Sequence, residues 1–165
     1  KNNTVPIQLG FNRRFDPGHL AAKNSLMNGE IGDLHQCIIT SRDPGLPSWD
    51  YLKVSGGQFR DMTIHDFDLA RFMLGEEPVR LFAISNALVE PKIKTELNDS
   101  DTLMVIMETV SGKQCNIINS RSASYGYDQR VELFGSKGMV ISDNRKANEV
   151  KRYSAEFVEQ KEPYL

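Results

Sequence analysis

Apolar and polar positions fall into two regimes along the chain. Up to Gly75, short apolar runs alternate with stretches of helical spacing; from Val79 onward, strand-like runs follow one another. "VPIQLGF" (Val5 to Phe11) has the length of a buried strand. Asp16 and Pro17 form an N-cap and first-turn pair, so a helix begins there. Leu20, Ala21, Asn24, Leu26 and Met27 carry it to a stop at Asn28–Gly29. "LHQCIITS" (Leu34 to Ser41) is rich in β-branched residues and reads as a strand. Pro44, Gly45, Pro47, Gly56 and Gly57 make the next stretch a loop. A helix then runs from about Phe59 to Leu74, ended by Gly75 with Pro78 just beyond.

The second regime contains "VRLFAISNALV", "DTLMVIMETV", "KQCNIINSRSA", "DQRVELFG", "GMVISD" and "EVKRYS". Ser111–Gly112 and Ser136–Lys137–Gly138 have the composition of hairpin connections. A meander of five or six strands with helices on one face is an α+β arrangement, with a large and mainly antiparallel sheet. "DTLMVIMETV" is apolar on both alternating sets: Leu103, Val105 and Met107 on one, Met104 and Ile106 on the other. A strand wetted on one face would not read this way. A homo-oligomer, dimer or tetramer, formed sheet to sheet follows as an expectation.

At 165 residues the chain is one domain, or one domain with a remnant of a neighbour. It opens at Lys1, directly in an apolar stretch, and reads as a piece of something longer. A net charge of −2 with both signs interspersed argues against nucleic acid or an anionic membrane as partner. No apolar run approaches the roughly 20 residues needed to span a bilayer. Cys37 and Cys115 both lie inside apolar runs, so both are expected to be reduced core residues of a cytoplasmic protein.

The helix from Phe59 is unusual because it gathers Asp61, His65, Asp66 and Asp68, including one of only three histidines. Asp61 and His65 are four apart, which on an α-helix brings their Cβ atoms to roughly 5–6 Å. A carboxylate beside an imidazole fixes its tautomer and raises its basicity, and such a base can take a proton from an alcohol. Alternatively these are acidic residues complementing the dipole of an exposed helix, which is the reading taken for Asp66 and Asp68. A metal site is disfavoured: His19 and His35 lie on other elements, and no H-x-x-x-H or C-x-x-C pair occurs. Gly56–Gly57 fits either a turn or the close approach of a ligand. No G-x-G is present, so the dinucleotide fingerprint is absent from these residues.

The series "GFNRRFDPG", "NGEIGDLHQCIITSRDP", "SGGQFRDMTIHDFDLARFMLGEEP" and "SASYGYDQRVELFGSKGMV" resembles the inositol dehydrogenase branch of the glucose–fructose oxidoreductase/inositol dehydrogenase/MocA family over nearly the whole chain. That resemblance implies the C-terminal, substrate-binding and oligomerising domain of a two-domain NAD enzyme. Residues 1–17 would be the last strand and exit of a Rossmann domain, and 18–165 the substrate domain. It implies His65 as general base and Asp61 as the residue that orients it and contacts substrate. Asp43 and one of Tyr125 and Tyr127 would contact a polyol, and Arg13 or Arg14 would contact NAD. Two family features are missing from these residues: the Gly-rich loop and the Glu-Lys-Pro motif, which neither "VEPK" nor "QKEP" supplies. The implied activity is oxidation of an inositol ring hydroxyl to an inosose, with this piece inactive by itself. The alternatives are another polyol or sugar dehydrogenase, or a non-catalytic sugar-binding or dimerising module. The residue that would separate NAD from NADP lies outside this sequence.

Overall fold

A computed structural model describes residues 5–144, together with the backbone of 151–153 and 158–160. Its centre is a six-stranded sheet built from β1 (Leu34–Arg42), β2 (Pro78–Asn86), β3 (Thr102–Thr109), β4 (Gln114–Ser120), β5 (Asp128–Gly135) and β6 (Met139–Ser142). The spatial order is β2-β3-β4-β1-β5-β6. β1 enters between β4 and β5, parallel to the first and antiparallel to the second, so the expected simple meander is interrupted at its middle. The other neighbouring pairs are antiparallel. Of the "EVKRYS" run, β7 (Lys151–Tyr153) pairs with β8 (Val158–Gln160) in a ladder separate from this sheet.

Helix α1 (Pro17–Met27) starts where the Asp16 carboxylate accepts the backbone N–H groups of Gly18 and His19, at 2.8 and 3.1 Å. It packs over β5 and β6. The second long helical stretch has two parts. Phe59–Thr63 forms a π-helical turn, and α3 (Ile64–Leu74) continues it to Gly75, whose φ of 67° closes the helix in the left-handed region. α3 lies over β1 and β4. Leu69, Met73 and Leu74 from this helix meet Cys37, Ile39, Val105, Ile117 and Leu133 from the sheet. Each such large side chain contributes about 1.5–3 kcal/mol by leaving water. The two cysteines sit opposite each other on β1 and β4, free and buried, in line with the core role expected of them.

Two local expectations are corrected. Val5, Ile7 and Leu9 are exposed and belong to no strand among the described residues. The stretch after β1 is not all loop, because Ser48 accepts the Tyr51 N–H and starts a short helix, α2 (Trp49–Val54). A second short helix, α4 (Lys92–Leu97), follows β2, and Leu52, Ala87 and Ile93 form a small satellite core. Among the described residues no helix is long and apolar enough to cross a membrane.

Candidate active site

The core-facing rows of the central strands change character at one end of the sheet. On β1 the row reads Cys37, Ile39, Ser41; on β4 it reads Cys115, Ile117, Asn119; on β5, Leu133 and Val131 give way to Gln129. Register places Ser41 beside both Asn119 and Gln129, so the three polar residues form one patch beneath the start of α3. Buried polar groups need partners, and here they have them. The Asn119 amide donates to Asp66 at 2.8 Å and to the Ser41 carbonyl at 3.3 Å, and its oxygen accepts the Thr63 hydroxyl at 2.8 Å. Ser41 and Gln129 are hydrogen-bonded side chain to side chain. This network docks the π turn and the first turn of α3 onto the sheet.

Above it lies an open concavity of about 660 Å³ whose walls include Arg13, His19, Asp43, His65, Tyr127 and Gln129. His65, Asp43 and Tyr127, all singled out in the sequence, are therefore brought together. The His65 ring is half-buried and meets Phe11 edge-on at 5.8 Å. Asp43 follows β1; its N–H donates to the Ser120 carbonyl at 3.0 Å and its C=O accepts from Ala123 at 2.7 Å. Burial pushes its carboxyl above the ordinary value, with Asp61 acting in the same direction and Arg121 and Arg13 against it.

Asp61 does not form the expected hydrogen bond with His65. Its carboxylate accepts the Tyr51 hydroxyl and, at 2.9 Å, the Nη2 of Arg121. Asp61 lies within the π turn and His65 in the α-helix that follows, so the α-helical four-residue spacing does not hold between them. Such turns recur at functional sites.

Asp66 and Asp68 are not the exposed acids expected. Both are buried, Asp66 completely, and both are ion-paired, to Arg13 and Arg14 respectively. Burial pushes the Asp66 carboxyl up, and Arg13 and Asn119 pull against it. Arg14 reaches Asp68 through Nε at 2.6 Å and lies over the Phe72 ring, rather than pairing with Asp16. The two proposed cofactor contacts are thus already charge-compensated, and they clamp residues 13–15 to α3. Arg13 still reaches the wall of the concavity.

The two tyrosines part company. Tyr127 lines the concavity, whereas the Tyr125 hydroxyl donates to Asp128 at 2.7 Å and receives Arg42 at 3.0 Å. Burial of Asp128 would raise its carboxyl, but hydrogen bonds from Arg130, Tyr125 and Asn144 bring it well below the ordinary range. Gly57 packs its backbone against Asp99, which accepts the Gln58 N–H, so the glycine pair serves a turn. Tyr51 and Arg121 were missed in the sequence. Tyr51 fell in a stretch read as loop; Arg121 ended an apolar run with nothing in its neighbours to show that it is buried.

The chain belongs to the GFO/IDH/MocA family: residues 19–141 match the model of that family's C-terminal domain. It is 53% identical over 140 residues to an inositol 2-dehydrogenase of Rhizobium meliloti, covering 85% of this chain and 42% of that protein. The crystal structure of a myo-inositol dehydrogenase from Corynebacterium glutamicum superimposes with a TM-score of 0.89 at 47% identity, over 94% of this chain and 46% of that one. That of scyllo-inositol dehydrogenase from Lactobacillus casei with bound NAD(H) and scyllo-inositol gives 0.81 at 29% identity, over 94% and 47%. The chain thus spans about half the length of these relatives.

Proposed function

We propose that these residues are the substrate-binding and oligomerising domain of a cytoplasmic, NAD-dependent oxidoreductase that oxidises a ring hydroxyl of inositol to a ketone. The observation that carries the reading is the convergence of His65, Asp43 and Tyr127 on one concavity, roofed by a helix that a buried polar network fixes in place. His65 takes the hydroxyl proton while the carbon loses its hydride, leaving a C=O bond. NAD, when bound, would supply the hydride acceptor, and its main site would lie outside these residues, which hold no G-x-G. Asp43 accepts a hydrogen bond from a neighbouring ring hydroxyl, and Tyr127 offers a phenol and an apolar ring edge. Asp61 is tied to Tyr51 and Arg121 and does not line the concavity, so its part is indirect.

In the full-length enzyme, His65→Ala should lower kcat on myo-inositol about 10²–10⁴-fold at neutral pH, the range for loss of a general base. Nicotinamide absorbance measures it. Unaltered turnover would remove His65 from the chemistry.

A further inference from the structure

Arg121 is the largest of the fully buried side chains, with 1% of its surface exposed. A guanidinium taken out of water needs both charge and hydrogen-bond compensation. Here Nη2 donates to one oxygen of Asp61 at 2.9 Å, while Nε is buried with no acceptor among the described residues. The backbone N–H of Arg121 donates to the Asp101 carbonyl at 2.8 Å, which fixes where the side chain starts. The other Asp61 oxygen accepts the Tyr51 hydroxyl, so both oxygens are assigned. Asp43, on the wall of the concavity, donates its N–H to the carbonyl of Ser120, the residue before Arg121, at 3.0 Å, and lies in the field of the same guanidinium and of Arg13. Two carboxyl groups at one site repel each other unless a cation stands by them.

We propose that Arg121 is a positioning residue of this site: it holds Asp61 by one oxygen and, from beside the concavity that Asp43 lines, supplies the positive charge that Asp61 and Asp43 share. This rests on the dehydrogenase reading for its functional consequence, but the electrostatic part stands on the chain alone. Arg121→Met should raise the already elevated Asp43 carboxyl further and move the Tyr51 phenol upward, because Arg121 lowers both. Arg121→Lys keeps the charge and should move Asp43 less.

Carboxyl-detected NMR titration of the 165-residue chain and the two variants reads this directly, with thermal melts to check folding. One Asp43 titration curve shared by all three proteins would overturn the proposal. If Arg121→Met does not fold, the Asp61 Cγ resonance of Arg121→Lys decides: it shifts if the guanidinium holds that carboxylate, and an unmoved resonance overturns the assignment. In the full-length enzyme Arg121→Lys should lower kcat about 10²-fold, the scale of an ångström's misplacement. A wild-type enzyme inert toward myo-inositol would defeat the functional reading, and the titrations would still decide the role of Arg121.

Discussion

His19 shows how a single side chain can tie stability to pH. Its ring is buried between α1 and β6, where Nδ1 and the Ser142 hydroxyl are 2.9 Å apart. Burial lowers its pKa below the ordinary 6.5, Asp16 acts to raise it, and Arg13 lowers it. In the unfolded chain the imidazole takes up a proton as pH falls through 6.5, while in the folded chain it resists. The unfolded state then binds more protons, so stability falls with falling pH from that value down to the folded one. Melting temperature should therefore decline as pH is lowered from about 7 toward 5, and His19→Gln should flatten part of that decline. A variant that keeps the whole wild-type slope would exclude His19 as the cause. The same scale explains what could not be read in advance. Asp66 and Asp68 look like ordinary acids of an early helical turn, because their partners Arg13 and Arg14 lie more than fifty residues away in the chain. In the sequence His65 stood out by its place in a carboxylate-rich helix, while Asp43 and Tyr127 came only through the family resemblance, which left Tyr125 and Tyr127 undecided; the shared concavity depends on contacts between remote elements.

At the level of elements, the π turn is the feature that sets the site's geometry. It is preceded by Gly57, whose φ of 90° is open to glycine and costly for other residues. The Gly57 carbonyl accepts the N–H groups of Arg60 and Asp61, and a Cβ at this position would stand 3.0 Å from the Asp99 carboxylate. Gly57→Ala should thus destabilise the chain by about 1–3 kcal/mol in urea unfolding. Gly45→Ala, with open space around it, should stay within about 0.5 kcal/mol. Equal midpoints for the two variants would show that the turn is not held as described. The Asp16 cap, the Gly75 stop and the two hairpins were legible because each depends on neighbours in sequence. A switch from i+4 to i+5 bonding has no comparable signature: it is imposed by docking Thr63 and Asp66 onto Asn119. The insertion of β1 between β4 and β5 was hidden for the same reason, since both partners are remote.

For the whole molecule, the decisive asymmetry is between the two faces of the sheet. α1 and α3 cover one face, and the core side chains Leu103, Val105 and Met107 of β3 are buried there. The other face presents Phe82, Ile84, Met104, Ile106, Phe134 and Met139, all exposed in the single chain. They are not scattered. Phe82 faces Ile106 and Ile84 faces Met104 across β2 and β3, and Phe134 faces Met139 across β5 and β6. Monomeric proteins rarely leave an apolar patch of more than a few hundred Å² uncovered. A self-complementary sheet face also suits a two-fold dimer, in which one patch meets its own copy, and a stable interface needs about 800 Å² from each partner. We therefore expect the chain to associate through this face, and Ile106→Glu to place a charge in the middle of the contact. Sedimentation velocity at micromolar concentration should show a dimer or tetramer for the wild type and a shift toward monomer for Ile106→Glu. Since Ile106 points away from α3 and the core, circular dichroism of the variant should remain that of a folded protein. A wild-type chain that sediments as a monomer at every concentration, with this face bare, would contradict the assignment of the sheet as the assembly surface.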